Sequence, residues 1–288
     1  MNAVEIAYLT EERIQRFIQA ALAEDIGEGD HSSLAAIPEE AKSQARLLIK
    51  GEGILAGITL AEKILKTVDP SLKVDIYLQD GQSVKFGDIG FVVSGSARSI
   101  LSAERLLLNC MQRMSGIASY THRLKELIKH TDAKLLDTRK TTPNFRLPEK
   151  WAVVIGGGTN HRFALYDMIM LKDNHIDFAG GISQAIQRTR AYLEKLGKPL
   201  KIEVETRNLE EVKEVLAIGG VDIIMLDNMS PELMREAVAL IGGKYGTEAS
   251  GNINEQTISA VAESGVDAIS VGALTHSVKS MDISLKAF

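Results

Sequence analysis

From residue 134 onward the chain repeats one unit: a short apolar run that ends in polar residues and is followed by a helical pattern. The runs read Lys134-Leu-Leu-Asp137, Met168-Ile-Met-Leu171, Ile202-Glu-Val-Glu205, Ile223-Ile-Met-Leu-Asp227, Tyr245-Gly-Thr-Glu-Ala249 and Ala268-Ile-Ser-Val271. Their spacing, roughly 20 to 35 residues, is that of βα units, because parallel strands need a crossover long enough to hold a helix. The six runs make an α/β barrel, complete or left incomplete at six strands. A chain of 288 residues has room for that barrel and a second, smaller domain.

The smaller domain is expected in the N-terminal part. Thr10 can cap a helix whose apolar residues Ile14, Phe17, Ile18, Ala21 and Leu22 recur at helical spacing, with Glu11 and Glu12 favourable in its first turn. Between Ala45 and Gly95, β-like runs (Leu47 to Ile49, Val74 to Leu78, Ile89 to Val93) alternate with glycine turns around a helix near Thr59 to Val68. A helical region from Ile100 to about His130 follows, with Gly116 expected to break it into two helices. The domains are therefore read as 1–115, a barrel at 116–275, and a C-terminal segment, 276–288, free to return to the first domain.

Composition bounds the partners. A net charge of −5 offers no general positive field for nucleic acid, so anions must be bound locally. Cys110, the only cysteine, sits in an apolar helical stretch and can form no internal disulfide, which suits a reducing cytoplasm. The segment Met1 to Glu12 carries Glu5, Glu11 and Glu12 without a basic run, and no stretch reaches about 18 uninterrupted apolar residues. Neither export nor a membrane span is expected.

In such barrels the functional groups lie on loops leaving the carboxyl ends of the strands, so they can be read off in order. They are Arg139 and Lys140, then Lys172, Asp173, Asn174 and His175, then Glu205, Asp227 and Asn228, Ser250-Gly251-Asn252, and Gly272-Ala273. Between the first two runs lies Gly156-Gly157-Gly158-Thr159-Asn160-His161-Arg162. Arg139, Lys140, Arg162 and Lys172 would surround one pocket, with Glu205 and Asp227 opposite. Guanidinium groups bind carboxylates through paired hydrogen bonds, two carboxylates suit Mg²⁺, and glycine loops admit a phosphate. A dianionic acid, Mg²⁺ and a phosphate describe phosphoribosyl transfer to a carboxylated acceptor. Taken singly, the features read otherwise. The glycine triplet is an ordinary turn, Glu205 a surface partner for Arg207, Arg105 a snorkelling helix cation and His276 a capping histidine. Periodicity cannot choose between Glu203 and Glu205 as the metal-side residue.

With these motifs placed, the chain resembles the quinolinate phosphoribosyltransferase family over nearly its whole length. The resemblance is carried by Glu24-Asp25-Ile26-Gly27 with Gly29-Asp30, Ala103-Glu104-Arg105 with Leu108-Asn109, Ser115 to Ala118, Asp137 to Pro143, Glu149-Lys150, Gly156 to Arg162, Lys172 to His175, Leu226-Asp227-Asn228, Ala249-Ser250-Gly251, and Val271 to His276. Asn144 and Asn252 stand where glycine is frequent in the family. The resemblance implies an α/β protein of the type II phosphoribosyltransferase fold: an N-terminal α/β sandwich domain plus an incomplete, about six-stranded α/β barrel. It implies a homodimer in which Arg105 reaches the neighbour's site.

By motif position, Arg139, His161 and Arg162, helped by Arg105 and Lys172, would bind the two carboxylates of quinolinate. Lys140 would stand beside the ring and the pyrophosphate. Glu205 and Asp227 would face the ribose and Mg²⁺, which settles the Glu203 question on the family's pattern. Ser250, Gly251, Asn252, Gly272, Ala273 and His276 would form the 5-phosphate site. The reaction implied joins quinolinate and 5-phosphoribosyl 1-pyrophosphate, with loss of CO₂ and without an organic cofactor. Competing readings are a ModD-like or nicotinate-specific transferase of the same fold, and a non-catalytic barrel that binds an anionic metabolite. Lys172 to His175 argues against the ModD-like enzyme, the surplus of cations against a monocarboxylate acceptor, and the retained carboxylates against the silent barrel.

Overall fold

The structure, a computed structural model, describes residues 6–288, so Glu5 and its part in the N-terminal reading lie outside the described residues. The chain forms two units: one of residues up to His122 with Lys140–Gly157 and Leu274–Phe288, the other of Arg123–Arg139 with Gly158–Ala273.

In the first unit, helix α1 (Glu11–Ile26) begins where Thr10 accepts a hydrogen bond from the Arg13 N–H at 3.3 Å. Glu11 and Glu12 complement the positive end of its dipole, and Ile14 and Ile18 are its buried residues. Helix α2 (His31–Ala36) is capped by Asp30. There follow β1 (Lys42–Ile49), β2 (Gly53–Ile54), α3 (Ile58–Val68), β3 (Lys73–Ile76), β4 (Ser83–Val84) and β5 (Ile89–Ser96). Strand β1 turns Ala45, Leu47 and Ile49 into the core at every second position, as a half-buried strand must. It pairs antiparallel with β5 on one side and with the C-terminal strand β12 (Ile283–Ala287) on the other. The sheet order is β12-β1-β5-β3.

Helix α4 runs unbroken from Ala97 to Leu127, which corrects the expected interruption at Gly116. A Cβ at Gly116 would collide with the Lys279 carbonyl oxygen, so this glycine serves a close backbone approach rather than a break. Cys110 on α4 is a buried free thiol, and desolvation pushes it up to about 12, which leaves it inert.

Residues Lys140–Gly157, which the sequence reading put in the barrel, cluster with the first unit. Helix α5 (Arg146–Ile155) carries the reason. Fully buried Glu149 accepts from Thr142 N–H and Oγ1, both at 2.9 Å, and from Arg113 Nε and Nη2 on α4 at 3.1 and 3.0 Å. Removing one partner of such a pair leaves a buried charge and costs about 3–5 kcal/mol, so this segment is held firmly to α4.

The second unit is the expected parallel sheet. Its elements are β6 (Lys134–Leu136), β7 (Ile169–Leu171), α6 (Asp173–Ala179), α7 (Ile182–Leu196), β8 (Ile202–Thr206), α8 (Leu209–Ile218), β9 (Ile223–Asp227), α9 (Pro231–Ile241), β10 (Gly246–Ser250), α10 (Ile258–Ala262), β11 (Ala268–Ser270) and α11 (Ala273–His276), the last extending past the unit's end. Every strand pairing is parallel, in the order β6-β11-β10-β9-β8-β7. Each apolar run of the sequence became one strand. The sheet is open because β6 and β7 lie at its two edges, and Leu136 instead bridges Thr159 in the segment between them. Among the described residues no helix is long and apolar enough to cross a membrane.

Candidate active site

All six strands of the second unit point the same way, so their carboxyl ends and following loops share one end of the sheet. Register then fixes which side chains share a row. Glu205 and Glu248 both pair with Met225, and Asp227 pairs with Ser250 two residues nearer the carboxyl ends. Paired residues of a parallel sheet face the same side, so Glu205 and Asp227, two steps apart through Met225, stand on one face.

Their charges bear on each other. Burial raises Glu205 above the usual carboxylate range, the negative charge of Asp227 raises it further, and Lys172 opposes both. Two hard oxygen donors that repel one another in a half-buried position fit a divalent cation such as Mg²⁺. The surface alternative fails, because Arg207 pairs with Glu211 at 2.7 Å and Asp177 at 3.8 Å rather than with Glu205.

The cations show the opposite frustration. Arg162 is lowered first by burial and then by the nearby charge of Arg139. Two guanidinium groups held close and partly dehydrated suit an anion with more than one carboxylate. Arg162 is steered by Nη1 donating to the Met168 carbonyl at 3.1 Å, with Nη2 3.6 Å from Met170 Sδ. Lys172 precedes α6, and its backbone N–H donates to His175 Nδ1 at 3.0 Å. His175 thus shapes the turn that follows β7.

The segment before Arg162 is anchored by contacts that the sequence could not show, among them those of Asp137 and Glu248, to which it gave no role of their own. Asp137, fully buried at the end of β6, accepts from His161 N–H at 2.9 Å through Oδ1 and from Asn160 Nδ2 at 2.5 Å through Oδ2. His161 Nε2 stands 2.9 Å from Glu203 Oε2 and 3.3 Å from Glu248 Oε2, and its Nδ1 accepts from Arg162 N–H at 2.6 Å. Burial pulls the imidazole down, but Glu203 and Glu248 outweigh it and raise the ring to about 9. Burial also lifts Glu203, to about 7. With Nδ1 accepting from the Arg162 N–H, Nε2 carries a ring hydrogen and donates toward the two carboxylates. The available sequence signal was Glu203 and Glu205 alternating on one strand face, which did not say which histidine either glutamate would meet.

The phosphate-site candidates of this unit lie on the loops after β10 and β11. Asn252 Nδ2 donates to Asn228 Oδ1 at 3.1 Å, and Asn228 Nδ2 to Asp227 Oδ2 at 2.6 Å. Gly251 has φ 97°, and a Cβ there would collide with Asn228. Asn144 and Asn252 have φ of 60° and 50°. Asparagine tolerates the left-handed region better than other non-glycine residues, so these departures keep the backbone that glycine would allow. Gly272 and Ala273 lead into α11, a helix of one turn.

Arg105, Lys140 and His276 belong to the first unit. Arg105 lies within α4, the Lys140 carbonyl accepts from Thr275 Oγ1 at 2.8 Å, and His276 Nδ1 stands 2.6 Å from Ser277 Oγ. The second unit itself brings together Arg139, His161, Arg162, Lys172, Glu205, Asp227, Ser250, Gly251 and Asn252.

Two family models match consecutive parts of the chain: the quinolinate phosphoribosyl transferase N-terminal domain over residues 30–115 and the C-terminal domain over residues 117–286. A Nicotiana glauca protein, quinolinate phosphoribosyltransferase [decarboxylating] 2, mitochondrial, is 48% identical over 288 residues, covering 95% of this chain and 82% of the relative. The probable nicotinate-nucleotide pyrophosphorylase [carboxylating] of Bacillus subtilis is 39% identical over 95% of this chain and 93% of its own. Among solved structures, NadC from Streptococcus pyogenes superposes with a TM-score of 0.89 at 43% identity, covering 96% of this chain and 97% of that one.

Proposed function

The chain belongs to the quinolinate phosphoribosyltransferase family, and on that premise we propose that it joins quinolinate to 5-phosphoribosyl 1-pyrophosphate, releasing pyrophosphate and CO₂ and giving nicotinate mononucleotide for NAD biosynthesis. The observation that carries this reading is the pairing of two frustrations at one end of the sheet: Arg139 against Arg162, and Glu205 against Asp227. The first is relieved by a dicarboxylate. The second is relieved by a cation or by positive charge developing on a sugar ring.

Arg139 and Arg162, with Lys172 and Arg105, hold the quinolinate carboxylates and so aim the pyridine nitrogen at the anomeric carbon of the ribose. As the bond to pyrophosphate breaks, positive charge grows on that ring. Glu205 and Asp227 stabilise the charge more in the transition state than in the ground state. Glu205 and Asp227 would also hold Mg²⁺, which when bound would supply charge neutralisation for the departing pyrophosphate. Lys140 faces the pyrophosphate, and Ser250, Gly251, Asn252, Gly272, Ala273 and His276 receive the 5-phosphate. After transfer the ring nitrogen is cationic and accepts the electron pair of the C2–carboxylate bond, so CO₂ leaves with no organic cofactor. Positioning dominates over proton transfer. The inert Cys110 is compatible with a reducing, cytoplasmic location.

The test is incubation of the protein with Mg²⁺, phosphoribosyl pyrophosphate and either quinolinate or nicotinate, following CO₂ and mononucleotide. Quinolinate-dependent CO₂ is expected; mononucleotide formed from nicotinate alone would refute the assignment. We further propose a homodimer with shared sites. Arg105→Ala and Glu205→Ala should each be inactive and partly recover when mixed, through the one site per heterodimer that inherits neither change. No recovery under conditions of demonstrated subunit exchange would rule out sharing.

A further inference from the structure

His161 occupies an unusual place for a group expected to hold substrate, because both of its ring nitrogens are engaged by the protein. Nδ1 accepts from the Arg162 N–H, and Nε2 lies between Glu203 Oε2 and Glu248 Oε2. The imidazole is 7% exposed, Glu203 is fully buried and Glu248 is 1% exposed. Each glutamate also keeps its other carboxylate oxygen, Oε1, buried without a hydrogen-bond partner. Burying two half-satisfied carboxylates against one imidazole costs stability, and an apolar filling of the same volume would stabilise the barrel more. Their presence is therefore not explained by holding the sheet together.

The geometry supplies an explanation. Glu203 lies on β8 and Glu248 on β10, while Asp137 at the end of β6 holds the His161 N–H and the Asn160 amide. Three strands of the sheet therefore converge on two consecutive residues, and Arg162 is the next residue along. We propose that Glu203 and Glu248 are positioning residues that act through His161: by fixing its Nε2 they set the backbone from which the Arg162 guanidinium reaches the quinolinate carboxylates. This rests on the reading of Arg162 given above. His161 is then chiefly a peg between the sheet and the binding arginine. The peg works because imidazole can accept at Nδ1 and donate at Nε2 at once. Strands make a stiffer mount for such a group than loops do, and a displacement of about 1 Å at a substrate-positioning group can cost roughly a hundredfold in rate.

The experiment is steady-state kinetics and thermal melting of Glu203→Ala, Glu248→Ala, Glu203→Gln, His161→Ala and Glu203→Ala/His161→Ala, with wild type alongside. Wild-type activity on quinolinate tests the functional reading by itself; the variants are compared only against that activity, so the two cannot fail together unnoticed. In the alanine variants kcat/KM for quinolinate should fall roughly ten- to hundredfold, with KM for phosphoribosyl pyrophosphate unchanged. Glu203→Gln keeps an acceptor for Nε2–H and a donor that can reach Glu248, so it should recover most of the loss even where Glu203→Ala folds poorly. The double variant should be no worse than His161→Ala alone, because a residue acting through another adds nothing once that other is gone. Additive losses, equal loss toward both substrates, or a quinolinate kcat/KM unchanged in Glu203→Ala would each overturn the proposal.

Discussion

Replacing Arg162 with alanine is expected to lower kcat/KM for quinolinate by about 10- to 150-fold, the kinetic equivalent of losing one charge-assisted hydrogen-bonded contact of about 1.5–3 kcal/mol. The effect should be confined to that substrate, because in the proposed reading Arg162 meets the acceptor and not the sugar phosphate. Stability should not suffer. Arg162 is partly buried beside Arg139, and both burial and that like charge disfavour its cationic form, so its removal relieves a strained ground state. Arg162→Lys should not restore activity, since an ammonium lacks the planar fork that pairs with a carboxylate and is costlier to dehydrate. Initial rates at varied quinolinate and fixed phosphoribosyl pyrophosphate, with a melting curve for each variant, decide the matter. A quinolinate kcat/KM within about threefold of wild type would remove Arg162 from the binding site.

Glu205→Gln should act on the other parameter. In the proposed mechanism the carboxylate stabilises charge that exists only as pyrophosphate departs, so kcat should fall about 10²- to 10³-fold, or about 2.7–4 kcal/mol. KM for quinolinate should stay near the wild-type value. Here too the free protein should be no less stable, because Glu205 is raised by burial and then by Asp227, and the amide removes that repulsion at nearly constant volume. The pairing of a large kcat loss with an unchanged or higher melting temperature is what separates a catalytic carboxylate from a structural one. A variant that loses its fold together with its activity would assign Glu205 to the latter class.

These two variants probe residues that the sequence exposed, and the contrast with Glu203 shows where that exposure ends. The repeat of apolar runs identified the six parallel strands to within about a residue, because burial on both faces forces a continuous apolar run whose end is marked by the first polar residues. The same logic gave Arg139, Lys172, Glu205 and Asp227 as strand-end groups. It misjudged Gly116, since a glycine inside a helix reads alike whether it breaks the helix or admits a neighbouring carbonyl, and only the position of Lys279 separates the two. It assigned Lys140–Gly157 to the barrel, since nothing local announces that Glu149 will be buried against Arg113.

What the sequence determined by itself was period and chemistry: where strands end, which charges stand at those ends, and where the backbone needs glycine or asparagine. These are local properties, set by covalent order and the two-residue alternation of a strand. What only the tertiary structure decided was which charges meet. His161 reached Glu203 and Glu248, 42 and 87 positions away along the chain, because parallel pairing through β9 brings β8 and β10 to one face. Burial there then turned two ordinary glutamates into a mount for a single histidine. Proximity between distant residues is a consequence of strand register and packing, and no pattern along one chain encodes it directly.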